Sequence, residues 1–304
     1  MSKLVPAKVE KLSGPPSTAV VYGRAALGAV PGASLLPFVG GRGDTLPDRE
    51  LRLEDVRIDR DRLAAYNDVC GFTLRESLPA TYPHIVSFPL QMKLMASGDF
   101  PFPLLGLVHL DNSITRHRAI GTGETLDFAV RAEDLRPHPK GRAFSLIAEA
   151  HVGDELVWEE RGTILRRGRD NPDAARDPRP AAVPKDAPLT NEWKLGEGLG
   201  RRYASVSGDR NPIHMHALSA KAFGFPRAIA HGMWSQARCL AHLESRTPDA
   251  VVTDASFGKP LLLPAKVGLA LDDRGEGVVG FSLRDARKAD AKRPEHLLGS
   301  IRPL

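Results

Sequence analysis

Apolar and small residues at Met233, Trp234, Ala237, Leu240 and Ala241 recur at helical spacing and predict an amphipathic helix with one buried face. The run Ala230-His231-Gly232-Met233 opens it. A second apolar segment, Ile85 to Ala96, has the length of a buried helix, with Pro89 placed near its start where proline is tolerated. Each is preceded by a shorter helical stretch, one from Asp61 to Cys70 capped near Asp61, the other from Leu199 to Ser205. Alternating segments at Leu51–Ile58, Gly106–Ile114, Leu126–Ala132, Phe144–Ala150 and Leu156–Leu165 predict strands, with turns at Gly121–Gly123, Pro137–Gly141 and Gly153-Asp154. After the second long helix come strand candidates at Val251–Thr253, Ala255–Leu263, Ala265–Leu271, Gly277–Leu283 and Leu297–Ile301, with Asp285–His296 as a charged, solvated hairpin. The first fifty residues read as an N-terminal strand, Ala19–Tyr22, and a meander with loops at Pro31-Gly32 and Gly40–Gly43. Strands following a buried helix suit an antiparallel sheet wrapped on that helix, an α+β arrangement.

Chemistry concentrates between Tyr203 and Glu244. Ser207-Gly208-Asp209 and Asn211-Pro212 are turn signals, and Pro212 stiffens the loop they form. Asp209 and His214 are a carboxylate and an imidazole five residues apart, a pair able to share acid–base work on one water without a metal. The plainer alternative makes Asp209 a helix cap and His214 a surface residue. Gly232 leaves bare backbone at a helix start, where an N–H and the positive end of the dipole can hold an oxyanion.

The string S-G-D-x-N-P-I-H, followed by A-x-x-x-G-F and I-A-H-G-M, resembles the hydratase-2 motif of the MaoC-like dehydratases, the (R)-specific enoyl-CoA hydratases. The resemblance covers roughly thirty residues and agrees at several independent positions. It implies a hot-dog fold, a long helix wrapped by an antiparallel sheet. It implies Asp209 and His214 as the pair that holds and activates water, and Gly232 as the N–H donor to the thioester carbonyl. Asn211, with Ser207, Gly208 and His231, would support the loop. The substrate would be an acyl-CoA or acyl-carrier-protein thioester, coenzyme A entering as substrate and no further cofactor being needed. The reaction implied is reversible hydration of a trans-2-enoyl thioester to a (3R)-3-hydroxyacyl thioester. A carrier-protein dehydratase is the near alternative and a non-catalytic acyl-thioester-binding subunit the distant one. A hot-dog thioesterase is disfavoured, because this helix carries no carboxylate before Glu244.

Tyr66, Val69 and Gly71 share the spacing of Tyr203, Val206 and Gly208, which predicts an internal duplication and hence a double hot-dog. Residues 166–192, with five prolines and little apolar content, read as a linker between an N-terminal unit, 1–165, and a C-terminal catalytic unit, 193–304. On that alignment Phe72 stands at the Asp209 position, and because the first loop is shorter the His214 position is open, Ser77 falling there if no gap is inserted. Neither does acid–base work, so the first half reads as catalytically empty, with room for a longer or bulkier acyl chain. A chain carrying both halves can act as its own pseudo-dimer, and a dimer of such chains is open.

The 304 residues carry a net charge of +5 with basic and acidic residues interleaved and no aromatic-and-basic stripe, which argues against nucleic acid and suits a phosphorylated carrier. Arg287, Lys288 and Lys292 are candidate phosphate contacts, and His117 reads as an exposed polar residue. Two distant cysteines, Cys70 and Cys239, read as free thiols. With a polar N-terminus and no apolar run of membrane-spanning length, the expectation is a cytoplasmic chain with no membrane span.

Overall fold

The computed structural model describes residues 7–28, 44–175, 177–288 and 293–304. Each half carries, ahead of its long helix, a short helix that stops at a glycine. In the first half this is α2 (Arg60–Cys70), in the second α4 (Leu199–Ser207). Gly71 and Gly208 both take the left-handed conformation, with φ of 86° and 79°, and each donates its N–H to the carbonyl four residues back. Glycine enters that region without the Cβ penalty, so the chain reverses there at little cost. These two caps register the halves, pairing Tyr66 with Tyr203 and Leu63 with Gly200. The N-cap of α2 is Asp59, whose carboxylate accepts from the N–H groups of Asp61 and Arg62 at 3.0 Å, so the cap stands ahead of the expected Asp61.

The long helices are α3 (Tyr82–Met95) and α7 (Gly232–His242). Helix α3 starts earlier than its apolar run suggests, because Pro83 is well placed in a first turn. Pro89 therefore sits inside the helix and not near its start. A proline there has no N–H for the carbonyl of Ile85. Arg62 supplies the missing donor: its Nη2 donates to the Ile85 carbonyl at 3.0 Å while its Nε donates to the Val206 carbonyl at 2.8 Å.

One eleven-stranded sheet wraps both helices. The first half contributes β1 (Lys8–Leu12), β2 (Arg49–Arg57), β3 (Leu107–Arg116), β4 (Thr125–His138), β5 (Gly141–Val152) and β6 (Glu155–Arg167). The second contributes β7 (Leu189–Leu195), β8 (Val251–Phe257), β9 (Ala265–Asp273), β10 (Val279–Asp285) and β11 (Glu295–Pro303). The order β2-β4-β5-β6-β3 is repeated as β7-β9-β10-β11-β8, and the halves join where β3 pairs antiparallel with β8, Asp111 opposite Ser256 and Arg116 opposite Val251. This is a double hot-dog. A continuous core runs from Leu51 through Phe128 and Trp158 to Trp234 and Ile301.

Two further expectations change. Ala19–Tyr22 is not a strand but part of helix α1 (Thr18–Gly28), which follows Pro15-Pro16 and presents Thr18, Val21 and Tyr22 on one face. Strand β8 ends at Phe257 and does not run on to Leu263. The proline-rich connection between β6 and β7 has no helix or strand among its described residues, yet it is not loose: Arg284 donates to the carbonyls of Val183, Pro184 and Lys185, and Val183 is buried. The loops read at Pro31-Gly32 and Gly40–Gly43, and Lys292, lie outside the described residues. Arg287 is paired with Asp285. No helix among the described residues is long and apolar enough to cross a membrane.

Candidate active site

The segment between α4 and α7 carries α5 (Pro212–Met215) and α6 (Ala217–Ala222). Asn211 caps α5 by accepting from the Ile213 N–H at 3.4 Å; Asp209 is not the cap. The Ser207 hydroxyl accepts from the Asp209 N–H at 3.2 Å. The Asp209 Oδ1 accepts from the Asn211 N–H at 3.1 Å and from the Tyr22 hydroxyl of α1 at 2.5 Å. Thr18, on the same face of α1, lies beside Gly208. The loop is thus folded around the Asp209 carboxylate and closed by a helix from the far N-terminus.

His214 is buried, and its Nδ1 donates to the Ile229 carbonyl at 2.8 Å. A carbonyl only accepts, so the proton sits on Nδ1 and Nε2 carries the lone pair. The backbone at His214 lies so close to α4 that a Cβ on Gly200 would stand 2.0 Å from the His214 carbonyl oxygen. His231, the N-cap of α7, stacks on His214 with ring centroids 3.7 Å apart and donates from Nε2 to the Asp209 carbonyl at 3.0 Å. Gly232 is the first residue of α7, so its N–H has no acceptor within the helix. The Phe257 ring packs on it, where a Cβ would come within 2.9 Å.

The charge states follow from burial and neighbours. Desolvation pushes the His231 imidazole down to about 3, with His214 adding to the effect, and desolvation likewise lowers His214 despite the Asp209 carboxylate nearby. Burial alone would raise Asp209; the two imidazoles, the Tyr22 hydroxyl and the Asn211 N–H outweigh it and hold the carboxyl below its usual range. At neutral pH the site is an ionised carboxylate beside two neutral imidazoles. One ligating atom each from Asp209, His214 and His231 falls within 4.8 Å of the others, close enough by distance alone to share a cation. Each imidazole spends one nitrogen on a backbone carbonyl and keeps the other, Nε2 of His214 and the buried, unpartnered Nδ1 of His231.

These groups face a cavity of about 770 Å³ between the halves. Its far wall belongs to the first half: Phe88, Met92 and Met95 of α3 with Leu146 and Ile164 of the sheet. The position related by the duplication is a pocket of only about 50 Å³ beside Phe72 and Ser77. The guanidinium of Arg116 occupies that region, donating to the carbonyls of Leu78, Pro248 and Asp249. His117 is partly buried, its Nε2 3.3 Å from Glu159.

The first half is nevertheless not bare of chemistry. His84, Gln91 and Glu160, all buried, line the main cavity, and His109 joins them from β3. Sequence reasoning passed over these four and Tyr22. A signal for part of the set existed: His84, Ser87 and Gln91 stand at positions i, i+3 and i+7 of an otherwise apolar helix. Tyr22 gave none, because its partner is 187 residues away.

Comparison with known proteins adds four findings. The MaoC like domain matches residues 179–283. The chain is 39% identical over 281 residues to 3-hydroxyacyl-thioester dehydratase X of Mycobacterium tuberculosis, covering 92% of this chain and 96% of that protein. Among solved structures it superimposes on HtdX of Mycobacterium tuberculosis with a TM-score of 0.73 at 36% identity, over 84% of this chain and 100% of that one. A MaoC-like dehydratase from Phytophthora capsici shares the fold, with a TM-score of 0.69 at 18% identity over 84% and 95% of the two chains.

Proposed function

Since the chain belongs to the MaoC-like dehydratase family, and is therefore a hydro-lyase, we propose that it catalyses reversible hydration of a trans-2-enoyl-CoA to a (3R)-3-hydroxyacyl-CoA. The relative of known name acts on 3-hydroxyacyl thioesters, the same substrate class. The observation that carries the reading is an ionised Asp209 and a neutral His214 within 4.8 Å, facing a cavity beside a free helix N-terminus. Water hydrogen-bonds at about 2.7–2.8 Å to an oxygen acceptor, so one molecule can donate to both groups at once.

The reaction then runs in a short sequence. The water oxygen attacks C3 as one of its protons passes to His214 Nε2. Asp209, oriented through Oδ1 by Tyr22 and Asn211, holds the other proton and steadies the imidazolium that forms. Electrons displaced from the C2=C3 bond reach the thioester oxygen, where the Gly232 N–H and the α7 dipole receive the charge. One such donor is worth about 2.7–4 kcal/mol in comparable sites. The imidazolium returns its proton to C2, and dehydration is the reverse. The acyl chain would extend along the Met92–Met95 wall of the first half, which favours substrates longer than four carbons.

The test is loss of enoyl-thioester absorbance with crotonyl-CoA and longer enoyl-CoAs, for the wild type, Asp209→Ala and His214→Ala. Activity abolished in both variants is expected. Undiminished variants would remove the mechanism, a sharp fall beyond four carbons would remove the long-chain assignment, and an inactive wild type would redirect the search to carrier-protein thioesters.

A further inference from the structure

The wall opposite Asp209 and His214 holds a charged group that hydration does not use. Glu160 of β6 is buried to 3% exposure, yet it lines the cavity. Its two oxygens accept from His84 Nδ1 at 2.8 and 2.9 Å, from Asn112 Nδ2 at 2.5 Å and from Gln91 Nε2 at 3.3 Å. Burial would raise this carboxyl; the charge and hydrogen bonds of His84 and Asn112 outweigh it and keep it ionised. Because His84 commits Nδ1 to Glu160, its Nε2 is the atom left for the cavity, and it has no hydrogen-bond partner among the described residues. Beside it, the Nε2 of His109 is buried and also without a partner. It faces Gly162, where even a Cβ would come within 3.1 Å. Burial lowers His109 to about 4, so it stands as a neutral imidazole packed against Gly162, leaving the His84 Nε2 as the imidazole nitrogen that faces the cavity.

The cluster also sits on the path of the acyl chain. The His109 ring meets the Phe257 ring edge-on at 4.9 Å, and Phe257 packs on Gly232, the proposed seat of the thioester oxygen. A chain running from Gly232 into the first half therefore passes Phe257 and His109 before it reaches His84 and Gln91. A plain hydrocarbon there would strip water from polar atoms and return no hydrogen bond, which is costly. A structural tie between α3 and the sheet would need no polar atoms facing the cavity.

We propose that the His84–Glu160 assembly, with Gln91, is a recognition site for a hydroxyl group carried by the acyl chain beyond C3. A hydroxyl both donates and accepts, so it can satisfy an imidazole nitrogen in either role and the Gln91 amide beside it. The acyl thioesters taken by this cavity are then hydroxylated at a second position, and an earlier carbonyl-reducing or hydroxylating step must supply them. This inference deepens the reading of the preceding subsection and rests on its orientation of the thioester.

The test uses saturated acyl-CoAs, which have neither a C2=C3 bond nor a 3-hydroxyl and so cannot react. Binding of hexanoyl-CoA against 5-hydroxyhexanoyl-CoA, and of octanoyl-CoA against 7-hydroxyoctanoyl-CoA, is measured by titration calorimetry on the wild type, His84→Phe and Glu160→Gln. A site built to hold a hydroxyl discriminates strongly against the analogue lacking it. The wild type is expected to bind one hydroxylated compound about tenfold or more tightly than its plain partner, and either variant to bring that ratio to about one. Equal affinities in the wild type, a ratio that survives both variants, or no acyl-CoA binding at all would overturn the proposal. A binding preference in a protein that hydrates no enoyl-CoA would leave this site standing and remove the hydration reading instead.

Discussion

Two loops, one after Gly71 and one after Gly208, leave matching helix caps and diverge at once. The first runs straight to α3 over residues 71–81; the second takes residues 208–231, two short helices included, to reach α7. The first is pinned flat: the Phe72 N–H bonds to the Asn67 carbonyl, its ring stacks on Tyr66, and Arg116 fills the space beyond. The second bends around a carboxylate and opens onto a cavity some fifteenfold larger, about 770 against 50 Å³. The residue that permits this lies on the helix before the loop. Gly200 lets the His214 backbone press onto α4, whereas its counterpart Leu63 is a buried core side chain of α2. A loop that brings a carboxylate and an imidazole together needs a place to lie as well as the two residues.

The contrast is broken most severely at the dyad. His214→Ala is expected to lower kcat/KM for crotonyl-CoA by about 10²–10⁴-fold. Ser77→Ala, in the other loop, should change it by less than about twofold. Next comes the floor beneath the loop. Gly200→Ala drives a methyl into the His214 carbonyl, so activity should fall more than tenfold with a stability loss of about 1–3 kcal/mol, read from hydration rates and thermal melts. Leu63→Ala should cost about 2–5 kcal/mol of stability while kcat in the folded fraction holds. If Gly200→Ala left kcat intact, the close approach would be incidental.

A smaller effect sharpens the role of α1. Tyr22→Phe removes a hydrogen bond that favours the Asp209 carboxylate, so the Asp209 carboxyl should titrate at higher pH. Activity requiring ionised Asp209 fades as pH falls through that value, so the acid limb of the kcat/KM profile should move upward in pH, with only a few-fold loss at neutrality. An unmoved limb would reduce Tyr22 to packing. The mildest is Arg62→Met, which leaves the Ile85 and Val206 carbonyls without that donor; it should cost about 1–3 kcal/mol in a chemical melt.

The structure of the Asp209–His214 loop was largely legible because its information is local. SGDRNPIH contains its own turn, its own cap and both reactive groups within eight residues, and helical spacing from Met233 to Leu240 fixed the element behind it. The resemblance of that motif to the MaoC-like dehydratases implied the hot-dog, and the shared spacing ahead of Gly71 and Gly208 implied that it is doubled. What escaped was non-local or ambiguous over short range. Ala19–Tyr22 is apolar and β-branched enough to read as a strand, and only docking against α3 and Gly208 shows its helical face. Pro89 reads as a helix start because the sequence does not reveal that Arg62, distant in the chain, will satisfy the Ile85 carbonyl. The Glu160 cluster joins residues from α3, β3 and β6 that no sequence window holds together.

The β3–β8 junction, where one sheet passes unbroken from the first half to the second, has a further consequence for how such a chain can diversify. Were the halves separate identical subunits, every substitution would appear in both. A residue that widened the Met92–Met95 wall would also alter the loop around Asp209. Fusion into one chain lifts that constraint. Mutation can let one copy of the ancestral loop wither and convert its neighbourhood to a new specificity, while selection holds the other copy fixed. The cost is one Asp–His loop where two could have been, and the return is a cavity wall that evolves independently of that loop.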